Sequence, residues 1–194
     1  MKTIDVLGHP CPIPVIEAKK ALAERDTDSV LIKIDNIAAV QNLKKMANGY
    51  GYGFSYIEKA KDSYEVIINK DGKNPPEPEY VPSNGFAVAI SRNTMGEGAE
   101  ELGKILIKGY IYALTELPVP PKFVIFFNSG AYLTSDGANT IDDLKKLEQK
   151  GTEILTCGTC VNYYGLQNNL MVGTITDMYG IAERMASVGN VINI

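Results

Sequence analysis

Residues 71–85 read DGKNPPEPEYVPSNG, and this stretch divides the chain. Proline stands at 75, 76, 78 and 82, and apart from Tyr80 and Val81 the other residues are polar or glycine. Proline fixes φ and removes a backbone donor, so such a run cannot continue a helix or enter a sheet interior. It reads as a semi-extended linker. The other prolines form two clusters: Pro10, Pro12 and Pro14 surround Cys11, and Pro118, Pro120 and Pro121 precede the apolar run FVIFF. A linker over 71–84 leaves domains at 1–70 and 85–194, both of ordinary domain size, and the 194 residues suffice for two.

Outward from the linker, the two sides differ in pattern. On the N-terminal side the order is β-α-β-α-β-β. TIDVL is a short strand, and a helix opened by CPIP runs to about Arg25 with Val15, Ala18 and Leu22 on one face. SVLIKID alternates Val30, Ile32 and Ile34, as a half-buried strand does. Ala39, Leu43, Met46 and Tyr50 mark a second amphipathic helix, and FSYIEK and YEVIINK form a hairpin. Two helices on one face of a small mixed sheet give a two-layer sandwich. On the C-terminal side, GFAVAIS and FVIFFN are continuous apolar strands, as in a sheet covered on both faces. A long helix from about Gly98 to Leu117 separates them. Asn139 or Thr140 caps a helix carrying Ile141, Leu144 and Leu147, and Gly151 ends it. EILTC is a third strand, a helix begins at Asp177, and NVINI closes the chain. This is a three-layer α/β/α domain with a mainly parallel sheet.

Composition excludes several classes. Hydrophobic residues make up 45% and charged residues 22%, ordinary for a globular protein. No apolar run approaches the ~18 residues of a membrane span, so no membrane partner is expected. MKTIDVLGHP lacks the apolar core of a secretory signal. The net charge of −4 and a sequence pI near 5.1 argue against nucleic-acid binding by phosphate neutralisation. Residues 1–70 hold ten basic and nine acidic side chains, and 71–194 hold nine and fourteen, so the acidity lies in the second domain. Three cysteines make a disulfide framework a poor reading. Free thiols in a reducing cytoplasm fit better.

The thiols are where chemistry is expected. Cys11 precedes Pro12, which disfavours helical φ/ψ at Cys11 and suits it to an N-cap. Pro12 then falls at N1 and Pro14 at N3, leaving Ile13 and Val15 as the backbone donors of the first turn. Those donors and the positive helix end would stabilise a Cys11 thiolate, the nucleophilic form. The alternative is a buried cysteine beside a helix start. His9, the sole histidine, could activate Cys11, although Pro10 keeps the segment extended and a surface role competes. Cys157-Gly158-Thr159-Cys160 is a C-x-x-C at the carboxyl end of a strand, where α/β sheets gather reactive groups. A thioredoxin-like dithiol lacks its proline here, since none follows Pro121. A zinc site wants about four ligands, and the chain has three Cys and one His across two domains, so no metal is expected. A nucleophilic Cys157 with Cys160 as resolving partner remains, beside two unreactive thiols in a turn. SRNTMGEGAEELG resembles a phosphate cradle, yet Glu97, Glu100 and Glu101 repel phosphate and make it a structural connection.

With these residues in view, Asp5-x-x-Gly8-x-x-Cys11-Pro12-x-Pro14, followed by Lys19 and Leu22, resembles the TusA/SirA family of small sulfur carriers over residues 1–70. The resemblance implies a β-α-β-α-β-β sandwich and a persulfide on Cys11. His9 stands where that family has an apolar residue. Residues 85–194 resemble a DsrE-like domain, whose sulfur-accepting cysteine corresponds to Cys157. The two domains on one chain, with CGTC, resemble the YedF group, linked to sulfur transfer and selenium metabolism. The resemblance implies no cofactor, a homo-oligomer through the C-terminal domain, a cysteine desulfurase-type donor and a downstream sulfur or selenium acceptor protein. The expectation is thus a sulfurtransferase-like carrier, Cys11 accepting and Cys157 relaying. Alternatives are a non-enzymatic adaptor and a thiol redox protein using Cys157 and Cys160.

Overall fold

A computed structural model describes residues 1–71 and 84–194. The chain forms two compact units, Met1–Glu79 and Tyr80–Ile194. The Pro-rich segment expected as a linker lies almost wholly outside the described residues.

The first unit runs β1 (Lys2–Asp5), α1 (Ile13–Ala23), β2 (Ser29–Ile34), α2 (Ile37–Gly49), β3 (Gly53–Ala60) and β4 (Ser63–Asn69). Its sheet order is β1-β2-β4-β3, with β1 and β2 parallel and the other pairs antiparallel. Alternation decides the buried face: Val30, Ile32 and Ile34 are sealed, together with Val66 and Ile68 of β4. Against them pack Ala18 and Leu22 of α1 and Ala39, Leu43 and Met46 of α2. β3 closes the hairpin as a mostly exposed edge. The Asn36 side chain caps α2 by accepting the Ala39 N–H at 2.8 Å. Tyr50 is the C-cap of α2 and packs, partly buried, against the same core.

The second unit runs β5 (Phe86–Ile90), α3 (Glu100–Thr115), β6 (Phe123–Phe126), a 3-10 helix (Asn128–Thr134), α4 (Ile141–Gln149), β7 (Glu153–Cys157), α5 (Gly158–Tyr163), β8 (Thr174–Thr176), α6 (Met178–Ala186) and β9 (Asn190–Asn193). The sheet order is β8-β7-β6-β5-β9 and every pair is parallel. Ala87, Val88, Ala89 and Ile90 are all buried because both faces are covered. One face meets Ile107 and Ile111 of α3 and Leu144 and Leu147 of α4. The other carries Ile125 and Leu155 against Ile181 of α6. Thr140 occupies the N-cap of α4 without capping it, because its hydroxyl donates to the Leu133 carbonyl instead. The 3-10 helix and α5 have no counterpart in the sequence reading, since seven and six residues are too short to show a helical period.

Candidate functional site

The first site is built by the loop between β1 and α1. Gly8 adopts φ +74°, open to glycine at no steric cost, and its N–H donates to Asp35 Oδ2 at 2.7 Å. That hydrogen bond, foremost, holds the Asp35 carboxyl below the usual carboxylate range, with the nearby His9 adding to it. The His9 N–H returns to the Val6 carbonyl at 3.2 Å. The Cys11–Pro12 peptide is cis, and Cys11 is exposed.

Helix α1 begins one residue later than the proline spacing suggests. Its N-cap is Pro12, Pro14 stands at N2, and Cys11 lies outside the helix. The two donors assigned to the sulfur are engaged locally: Ile13 N–H turns back to the Pro10 carbonyl at 3.1 Å, and Val15 N–H to the Pro12 carbonyl at 3.2 Å. With Pro12 and Pro14 lacking N–H groups, these remaining donors close the turns that carry the chain into α1. The expectation that Ile13 and Val15 cradle the Cys11 sulfur is therefore corrected. The donor that reaches Cys11 Sγ is the Asn42 side chain, with Nδ2 at 3.3 Å, from α2 and 31 residues away. The residue was missed. Its one signal was an asparagine in a helix interior, where it is a weak helix former.

The second site lies at the carboxyl ends of the parallel strands. Cys157 ends β7 and is the N-cap residue of α5, and Cys160 falls inside that helix. Cys157 is 1% exposed, packed with Ile125, Leu155 and Ile181, whereas Cys160 is partly exposed. The Asn128 N–H donates to Cys160 Sγ at 2.9 Å. Asn128 takes left-handed backbone, φ +51°, at the start of the 3-10 helix, and its Oδ1 accepts from the Tyr164 hydroxyl at 2.8 Å. The rings of Tyr132 and Tyr163 flank Tyr164, each centroid 4.9 Å away. Burial pushes the Cys160 thiol up, the Asn128 N–H opposes this, and contact with Cys157 pushes it up again. The two thiols of CGTC are thus partners, and Asn128 is a further residue the sequence reading passed over. A cavity of about 410 Å³ opens near Tyr132, with Asn93, Lys104 and Asp136 among its lining.

A raised thiol pKa keeps the neutral form to higher pH, and the neutral thiol is the slow nucleophile. Alkylation of Cys160 is therefore expected to keep accelerating beyond the ~8.5 of a free cysteine, with buried Cys157 slower at every pH. Site-resolved mass spectrometry of alkylation against pH checks this. A Cys160 rate that levels off near the free-thiol value contradicts it.

A two-unit α/β protein with one exposed thiol on a β-α-β-α-β-β domain and a paired dithiol on a parallel sheet is the class these structures define. The sulfurtransferase TusA family matches residues 2–70. The "Putative sulfur carrier protein MJ0990" of Methanocaldococcus jannaschii is 35% identical over 71 residues, 36% of this chain and 95% of that protein. The chain belongs, through this N-terminal domain, to the TusA sulfurtransferase family, and a sulfur-carrier role follows from that membership. Among solved structures, the SirA-like protein from Desulfitobacterium hafniense is 52% identical, covering 36% of this chain and 96% of that one, with a TM-score of 0.34. The ychN protein from E. coli is 16% identical, covering 57% of this chain and 99% of that one, with a TM-score of 0.44. Among the described residues, no helix is long and apolar enough to cross a membrane.

Proposed function

We propose that this chain is a YedF-type carrier that holds sulfur as cysteine persulfide and relays it between its TusA-like and DsrE-like domains. The Cys11 thiolate attacks the terminal sulfur of a persulfide on a cysteine desulfurase-type donor. The donor's S–S bond breaks, the donor departs as thiolate, and Cys11 carries the new S–S bond. Cys157 takes the terminal sulfur by the same exchange. Cys160 then attacks the inner sulfur of the Cys157 persulfide, releasing hydrosulfide to an acceptor protein and leaving a Cys157–Cys160 disulfide. A dithiol reductant supplies the two electrons that reopen it. Selenium can follow the same route, as selenide is the better leaving group. The protein acts in the cytoplasm, as a homo-oligomer through its second domain, where Leu102, Ile105 and Leu106 of α3 stand exposed.

The observation that carries this reading is the exposed Cys11 in the Cys-Pro-x-Pro loop of the matched domain. Cys157, buried beneath Ile181 of α6, acts only when that packing opens. Its contact with Cys160 also favours a second reading, a thiol redox protein, which rapid disulfide reduction without sulfur loading would support.

Incubation with a cysteine desulfurase and cysteine tests the proposal. Mass spectrometry is expected to find one added sulfur first on Cys11 and later on Cys157, and selenium at the same sites when selenocysteine is offered. No mass gain on any cysteine overturns it.

A further inference from the structure

We propose that Asn42 is a positioning residue for Cys11: its carboxamide N–H holds the sulfur in place and stabilises the anion that forms there. This rests on the carrier reading of Cys11 given above.

The loop leaves the sulfur without the backbone donors of its own helix. Ile13 and Val15 N–H close local turns, and Pro12 and Pro14 have no N–H to offer. The Asn42 Nδ2 lies 3.3 Å from Cys11 Sγ, within reach of a hydrogen bond to sulfur. Asn42 does not serve α2 as a cap, because Asn36 fills that place. An interior asparagine is disfavoured against alanine or leucine, so helix formation gives no reason for it. The side chain is half-buried, projecting from α2 to the loop ahead of α1. A neutral amide donor there suits both charge states of the site. It donates to a thiolate or to a persulfide sulfur alike, and it forms no ion pair that would have to break when a partner protein removes the sulfur. An exposed thiol on a loop is otherwise free to rotate. A fixed donor narrows the directions from which the sulfur can be attacked or can attack.

Two variants of the full chain test this. Asn42→Asp keeps the shape and places a carboxylate oxygen against the sulfur. Asn42→Leu keeps the bulk and improves the helix while removing the donor. The thiolate absorbance of Cys11 and its alkylation rate, both at one neutral pH with Cys157 and Cys160 changed to serine, are the readouts. Alkylation is expected to fall about tenfold in Asn42→Asp and several-fold in Asn42→Leu, because a hydrogen bond to a charged group is lost, while the thermal midpoint of Asn42→Leu holds or rises with the better helix former. A packing role alone would lower the midpoint and leave the alkylation rate as it was. Wild-type rates and absorbance in Asn42→Asp overturn the assignment, as does a rate increase. The failure of the carrier reading is separate: it shows as absent persulfide on the wild type under the desulfurase, whatever these variants do.

Discussion

Cys11→Ser, incubated with a cysteine desulfurase and cysteine, is expected to gain no sulfur at residue 11 and to load Cys157 about a hundredfold less, the lower end of the gain a tether provides. Serine preserves the loop, because neither the Gly8–Asp35 hydrogen bond nor the turns at Ile13 and Val15 use the sulfur. A hydroxyl with a far higher pKa cannot supply the anionic nucleophile on which chalcogen exchange depends. The effect on Cys157 follows from burial, since that thiol is 1% exposed among Ile125, Leu155 and Ile181 and meets large external donors poorly. A sulfur arriving through Cys11 on the same chain comes instead at the raised effective concentration that a tether provides. Labelled sulfur followed by mass spectrometry in wild type, Cys11→Ser and Cys157→Ser separates the possibilities. Equal loading of Cys157 in wild type and Cys11→Ser refutes the relay and leaves two independent carriers on one chain.

Gly130→Ala is expected to cost the second unit about 3 kcal/mol, the upper part of the usual range for forced overpacking. A Cβ at this position would lie 2.3 Å from the Ile90 carbonyl oxygen and 3.1 Å from its carbon. Both are backbone atoms of β5, itself fixed between β6 and β9, so no side-chain rotation relieves the clash. The 3-10 helix must move off the strand end. Asn128 begins that helix, so its N–H leaves Cys160 Sγ as the helix shifts. The substitution thus weakens the fold and alters the reactivity of Cys160 together. Denaturant unfolding of the full chain, followed through the second unit's transition, measures the first effect, and site-resolved alkylation the second. A transition within about 0.5 kcal/mol of wild type, the range of harmless surface changes, contradicts the prediction.

Much of this was legible in short-range pattern. The alternation of Val30, Ile32 and Ile34 marked a strand with one wet face. The unbroken run Ala87–Ile90 marked one with none, and both are buried accordingly. The positions of Cys11 and of CGTC, beside prolines that mark a helix start and at a strand end, are likewise local facts. They depend on φ/ψ preferences and periodicity within a few residues. The placing of β9 beside β5 depends instead on closing a loop of nearly the whole second unit, and periodicity carries no information on that. The same reason hid the partners of the sulfurs. Asn42 and Asn128 stand 31 and 32 residues from the cysteines they touch. Where a hydrogen bond goes is decided by which donors remain unspent after the local turns close. At Cys11 the nearest donors, Ile13 and Val15, were spent in those turns, and a side chain from the next helix reached the sulfur. Which of Cys157 and Cys160 meets solvent also waited on tertiary packing, because α6 and β6 cover the first and leave the second at the rim.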